Sequence, residues 1–172
     1  ANNFLAYKKY EIGKSLKEEN SEGVVEKILR EAEENKCKIL IPEDCLVAES
    51  FEGAAILRDI KSIKKNEIIL DIGPKTIKII EKIIDNSNTI MWNGPAGYFE
   101  SKNFALGTNA IAQKVSENTK NRSLTSVLGG GDTVSAINKS GLDLYFTHLS
   151  TAGGAFLEYL EGKDLPGLSV LK

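Results

Sequence analysis

Cysteine, histidine, methionine and tryptophan are nearly missing from this chain of 172 residues, which has two, one, one and one of them. Cys37 and Cys45 fit neither a CxxC redox pair nor a metal knuckle, and two thiols cannot build a secreted disulfide framework. A reducing compartment, the cytoplasm, is the expectation, and both thiols read as inert. The single histidine, His148, has no evident catalytic partner and reads as a structural strand residue. An excess of one charge is also missing. Lys and Arg number 22 against 24 Asp and Glu, a formal net charge of -2, and no basic stripe stands ready to neutralise a nucleic-acid backbone. No apolar run approaches the roughly 20 residues of a membrane helix. The opening "ANNFLAYKKYEIGKS" lacks a signal peptide's apolar core. Nucleic acid and membrane are set aside as partners, and a monomer is expected. The chain begins at Ala1 inside what reads as a helix, so it is expected to be a piece of something longer.

What is present is a regular alternation of helix and strand patterns. Hydrophobic residues make up 41% and charged residues 27%, enough for one globular domain with a core on both faces of a sheet. Val24, Val25, Ile28, Leu29 and Ala32 recur at helical spacing after Ser21, a plausible N-cap, and "CKILIP" reads as a strand closed by Pro42. "NEIILDIGP" is a strand ending in a Gly-Pro turn, followed by the helix "KTIKIIEKIIDNSN" with Ile77, Ile80 and Ile84 inward and its lysines in solvent. "TIMWNGP" with the helix "GTNAIAQKVSENT", "SLTSVLGGGD" with "TVSAINKSG", and "YFTHLSTAGG" with "AFLEYLEGK" repeat the pattern. Only "DCLVAESFEGAAILRDIKSIKKN" breaks it, with room for one or two edge strands. The expected class is α/β: a three-layer, doubly wound, Rossmann-like and mostly parallel sheet with helices on both faces.

In a parallel sheet all strand-to-helix turns lie on one edge, where open α/β folds bind ligands. Four turns are therefore expected to converge: "DIGP", "WNGP", "GGGD" and "STAGG". Helix N-termini there offer free N–H groups and a partial positive charge, which suits a phosphate. The common fingerprints fail. A GxGxxG starting at Gly129 meets Val134 where its last glycine belongs, and a Walker A loop ending at "GKS" meets Lys8 where its first belongs, leaving Gly13, Lys14 and Ser15 as a plain turn. Asp132, directly after the three glycines, has two readings: an N-cap, or a carboxylate separated from phosphates by Mg²⁺. Thr133 gives its hydroxyl to phosphate or supports the cap.

"DIGPKT", "MWNGPAGYFE", "LGGGDTVSA" and "HLSTAGGAFLEYLEGKDLPG", in this order, resemble phosphoglycerate kinase, and "ANNFLAYKKYEIGKSL" is similar to that family's segment after its earlier glycine motif. The resemblance runs from Ala1 to about Leu168 and corresponds to most of the family's C-terminal, nucleotide-binding domain. It implies a single domain over residues 1–172, truncated on its N-terminal side and without the acceptor-substrate domain. It also implies reversible phosphoryl transfer between 1,3-bisphosphoglycerate and Mg-ADP, giving 3-phosphoglycerate and ATP, with Mg²⁺ as cofactor. Carried over residue by residue, Asn93 contacts the nucleotide phosphates, Gly94 and Pro95 shape the floor under the nucleoside, and Glu100 accepts from the ribose hydroxyls. Leu16, Leu70 and Tyr98 line the base and sugar pocket, although the family usually has an aliphatic residue at Tyr98. Gly129, Gly130 and Gly131 admit nucleotide and phosphoryl group to the backbone, Asp132 holds Mg²⁺, and Thr133 contacts the β-phosphate. Gly131, Gly153 and Gly154 stabilise the phosphoryl group in flight through their amides.

Ala152 replaces the first glycine of the family's last glycine turn, and its methyl group strains that turn if the position needs a positive φ. The acceptor domain's arginines have no counterpart, since this chain has Arg30, Arg58 and Arg122 alone. The isolated chain is therefore expected to bind nucleotide with little or no catalysis. A relict or truncated nucleotide module that needs a separate N-terminal fragment is the second reading, and an NAD-dependent oxidoreductase the third. Read without the family, Trp92 is core and Glu100 is a surface carboxylate.

Overall fold

The computed structural model describes residues 1–121, 124–141 and 144–170. Arg122 and the first residue of "SLTSVLGGGD" lie outside them. Helix α1 (Asn2–Tyr7) and helix α2 (Glu22–Glu34) precede strand β1 (Asp44–Ala48), strand β2 (Ile56–Asp59), strand β3 (Ile68–Ile72) and helix α3 (Pro74–Asp85). Strand β4 (Thr89–Asn93), helix α4 (Leu106–Lys120), strand β5 (Thr125–Gly129), helix α5 (Gly131–Ser140), strand β6 (His148–Ser150), helix α6 (Gly154–Leu160) and helix α7 (Pro166–Ser169) follow.

The α/β class holds, with a parallel sheet of order β4-β5-β6 flanked by helices. Three of the four expected turns leave that sheet. Its register sets Asn93 beside Gly129 and Gly129 beside Ser150, so the strands end in one row and "WNGP", "GGGD" and "STAGG" start side by side. Trp92 and Leu128 point to one face, where Ile84 of α3, Ala112 and Val115 of α4 and Ile137 of α5 complete a buried cluster. Two consecutive right-handed crossovers along one sheet direction put both helices on the same side. On the opposite face Met91, Thr125 and His148 are exposed, and Phe156 of α6 reaches only as far as Gly129.

Two assignments need correction. "CKILIP" is not a strand: residues 37–42 are irregular, because an apolar run signals burial but a strand also needs a paired edge. Ile41 instead packs against the cluster of Leu5, Cys45 and Val47. The "DIGP" strand is not parallel to the other three. β3 joins a separate sheet of order β2-β1-β3, antiparallel throughout, in which β1 is the centre and not an edge. Residues 13–15 are a turn docked on β3: Gly13 bridges Ile68, and the Ile69 N–H donates to Ser15 Oγ at 2.8 Å.

Helix signals stand largely where expected. Ile77 and Ile84 are buried, with Ile80 packed against the same cluster. Gly141 ends α5 in the left-handed conformation, φ 66°. Ser21 occupies the N-cap of α2 but turns its hydroxyl to the Glu18 carbonyl. Of that helix's apolar repeat, Val25 and Ala32 are buried while Val24 and Ile28 stay exposed.

Candidate nucleotide-binding site

Three glycine turns meet at the end of the parallel sheet. Gly130 has φ 97°, open to glycine and strained for other residues, and a Cβ there would lie 2.6 Å from Asn93 Oδ1. The Asn93 side chain therefore lies directly over the Gly130 backbone. A Cβ on Gly153 would stand 3.2 Å from the Gly130 Cα, and the Gly130 N–H donates to the Ser150 carbonyl at 3.2 Å. "GGGD" and "STAGG" thus touch through bare backbone, and "WNGP" joins them through the Asn93 side chain. Gly131 and Gly154 open onto free space.

Gly130 is also the N-cap of α5, which places Asp132 inside the first turn with no side-chain cap hydrogen bond. The capping reading of Asp132 is thereby removed. Its carboxylate is exposed at a helix N-terminus, beside the open Gly131. Thr133 is 0% exposed, and its Oγ1 accepts from the Gly94 N–H at 2.7 Å. The hydroxyl ties the Asn-Gly-Pro turn to α5. Trp92 is buried as a core residue, and its Nε1 donates to the Gly94 carbonyl at 2.6 Å. Gly94 is clamped from both sides.

The Ala152 turn is unstrained. Among the described residues the non-glycine positions with positive φ are Lys9, Asn20 and Lys36. The Ala152 N–H donates to Ser150 Oγ at 3.1 Å.

A cavity of about 580 Å³ adjoins residues 95–98, lined by Leu16, Leu70, Pro95, Gly97 and Tyr98 among others. Four sequence candidates, Leu16, Leu70, Pro95 and Tyr98, come together here. Leu16 is a loose wall at 85% exposure. Glu100 is exposed and is not part of this lining, nor are the "GGGD" and "STAGG" turns. One strap joins the two places. Gly94 is held by Thr133, the Ala96 N–H donates to Thr108 Oγ1 at 3.0 Å, the Tyr98 N–H donates to the Leu70 carbonyl at 2.7 Å, and Tyr98 meets Phe51 edge to face at 5.2 Å. Lys139 of α5 sits 5.3 Å from the centre of the Phe99 ring.

The "DIGP" turn has another occupant. Asp44, 2% exposed, fills the N-terminus of α3: its Oδ2 accepts from the Lys75 N–H and its Oδ1 from the Thr76 N–H, both at 2.9 Å. An internal carboxylate takes the place an outside anion would otherwise find. Asp44 and Asp71 escaped notice in the sequence, though an acid inside an apolar run, as in "ILDIGP", is a usable signal for a buried carboxylate with a task.

Among the described residues, no group of three or more His, Cys, Asp or Glu side chains is placed to hold a metal. A cation such as Mg²⁺ takes one or two carboxylates and completes its shell with phosphate oxygens and water. Asp132 fits that limited donor set. Among the described residues, too, no helix is long and apolar enough to cross a membrane.

The chain matches the phosphoglycerate kinase family over residues 1–163. It is 49% identical over 170 residues to the phosphoglycerate kinase of Wolbachia pipientis subsp. Culex pipiens (strain wPip), covering 98% of this chain and 43% of that protein. The structure of phosphoglycerate kinase from Coxiella burnetii superposes with a TM-score of 0.90 at 39% identity, over 99% of this chain and 44% of that one. The crystal structure of phosphoglycerate kinase from Pyrococcus horikoshii OT3 gives 0.73 at 30% identity, over 99% and 42%. The chain thus spans less than half the length of these relatives. By sequence match and by fold, it belongs to the phosphoglycerate kinase family.

Proposed function

We propose that this chain is the Mg-ADP/ATP-binding part of a phosphoglycerate kinase, the whole enzyme transferring a phosphoryl group between 1,3-bisphosphoglycerate and ADP. The observation that carries the reading is the strap 93–98, which runs from the glycine turns to the cavity beside Leu70 and Tyr98. A nucleotide needs that pairing: an apolar hollow for the nucleoside and bare amides for its phosphates. Leu16, Leu70, Pro95 and Tyr98 hold the base and sugar, Asn93 and Gly94 orient the phosphates, and Glu100 reaches the ribose from the strap's end. Gly129, Gly130, Gly131, Gly153 and Gly154 expose backbone to the transferring group. Mg²⁺, held by Asp132 through the nucleotide, neutralises phosphate charge as it is redistributed in transfer. Thr133 acts from beneath, fixing Gly94 so that the phosphate floor is rigid before the ligand arrives.

Phosphoryl transfer asks a protein for alignment and charge neutralisation, and no side-chain nucleophile is needed. Alignment involves both substrates. A chain spanning less than half of its relatives is expected to bind nucleotide with little or no turnover on its own. Calorimetric titration with ADP in the presence of Mg²⁺ and then of a chelator tests the reading. Binding that weakens at least tenfold without Mg²⁺, and loses that dependence in Asp132→Asn with the melting temperature unchanged, is expected. Absence of heat at millimolar Mg-ADP would sink it. Robust ATP formation from 1,3-bisphosphoglycerate by the chain alone would overturn the prediction of low turnover.

A further inference from the structure

Asp71 is a carboxylate built into the middle of β3 and 2% exposed. Its Oδ2 accepts from the Gly107 N–H at 2.8 Å, and its Oδ1 from the Ile72 N–H at 2.8 Å. Gly107 stands in the first turn of α4, a helix with no side-chain cap of its own. Asp71 supplies that acceptor from another element. The packing around it is closed: a Cβ on Gly97 or on Gly107 would come into direct collision with Asp71 Oδ1. One α4 residue further on, Thr108 holds the strap through the Ala96 N–H. Asp71 itself belongs to the cavity lining, and its carboxylate therefore joins two walls of the cavity, β3 and the strap, to α4 behind them.

We propose that Asp71 is a positioning residue for the nucleoside, its ionised carboxylate locking the Gly107 end of α4 and, through Thr108 and Gly97, the floor formed by residues 95–98. This rests on the nucleotide reading above. A carboxylate accepts at both oxygens. Adding a proton makes one oxygen a hydroxyl, a poorer acceptor whose hydrogen has no acceptor facing it, so one of the two amide bonds is weakened. Asparagine is neutral at the same volume and sets an NH₂ group, which cannot accept, against one of those amides.

Burial pushes the Asp71 carboxyl up to about 6, with the amides of Gly107, Ile72 and Leu106 pulling the other way. Titratable groups on the neighbouring elements are engaged elsewhere. Asp44 of β1 faces the α3 amides, and Lys114 of α4 pairs with Asp85 at 2.7 Å. Cys45 of β1 keeps its proton, its thiol pushed up to about 12 by burial, and Lys17, Glu18 and Tyr98 line the same cavity. Because the folded value lies above the ordinary 3.8, ionisation costs the fold as pH rises between the two. Global stability and floor rigidity thus respond in opposite directions to acid. A purely structural brace would move them together.

The test follows backbone amide resonances and hydrogen exchange of the 172-residue chain between pH 5 and 7.5, with Mg-ADP titrations of wild type and Asp71→Asn. The amides of Gly107 and of residues 96–98 are expected to titrate together near pH 6 in wild type and to be pH-independent in the variant. Acid should lower their protection while raising the denaturation midpoint. At pH 7 the variant should bind Mg-ADP about tenfold more weakly, and the ratio should approach unity at pH 5, where ADP's own ionisation cancels. Residues 96–98 staying silent while Gly107 titrates would overturn the proposal, as would equal affinities at pH 7. If wild type binds no nucleotide, the nucleotide reading fails by itself, and the wild-type amide titration still decides whether Asp71 positions the floor. The same titration decides if the variant does not fold.

Discussion

The two sheets of this chain are held in opposite ways. The parallel sheet β4-β5-β6 rests on an apolar cluster, with Leu128 and Val115 at 0% exposure and Trp92 over them, and its strands run into glycine turns. The antiparallel sheet β2-β1-β3 packs on two smaller clusters, around Val47 and around Phe104, and has an edge strand, β2, exposed along nearly its whole length. It adds directional ties. Arg58 of β2 donates to Glu67 at 2.8 Å, Asp44 of β1 locks α3, and Ser15 accepts from β3. The parallel sheet runs out into glycine turns whose backbone is open at Gly131 and Gly154. The antiparallel sheet closes its own edge and the adjoining helix end with charged side chains.

The largest expected effect comes from attacking the apolar side. Leu128→Ala removes a fully buried side chain from the centre of the parallel sheet and should cost about 3–4 kcal/mol, read as a lower denaturation midpoint. Hydrogen exchange sharpens the comparison: protection should fall in β4 and β5 more than in β1 and β3. Equal losses in both sheets would show one cooperative core.

Next comes the polar side. Glu67 is 2% exposed, accepts two hydrogen bonds from Arg58 through Oε1, and also receives the Lys64 N–H. Glu67→Gln should cost about 2 kcal/mol, because the Arg58 charge keeps part of its solvation at 24% exposure. The Arg58 guanidinium holds the Glu67 carboxyl below the usual carboxylate range. Its stabilisation is therefore complete above the ordinary pKa of 4.5 and is lost as pH falls through the lowered native value. The difference between wild type and variant, measured by denaturation across pH 3 to 7, should shrink on the acid side. A difference that grows in acid would contradict the sign.

The smallest effect tests the link between the two regions. Lys139→Ala removes the cation from the Phe99 ring and should cost about 0.5 kcal/mol, since the ammonium is exposed. A double-mutant cycle with Phe99→Leu isolates the pair, and coupling near zero would remove Lys139 from the strap's supports.

Much of the fold was legible because helix and strand periods are local. Ile77, Ile80 and Ile84 declared the buried side of α3, Gly141 the end of α5, and "WNGP", "GGGD" and "STAGG" stood at the ends of apolar runs. Partners were not legible. "CKILIP" and "EIILDIG" read alike as strands, yet one pairs with nothing described and the other pairs antiparallel, since both outcomes need the same apolar run and differ only in what lies beside it. The same limit governs the site. The glycines pointed to a backbone surface, whereas Thr133 reads as a phosphate contact until its 0% exposure and its bond to Gly94 appear.

By itself the sequence determined the order of the elements, the positions of the glycine turns and membership of the phosphoglycerate kinase family. These depend on residue types at short spacings. Tertiary structure alone decided that three turns share one row while the fourth helix end is filled by Asp44. It alone decided that Asp132 is free of any capping role and that Asp71 braces the cavity floor. Most of those outcomes turn on contacts between residues about 20 or more positions apart, such as Gly129 with Ser150 and Asp71 with Gly107, for which a local pattern carries no information.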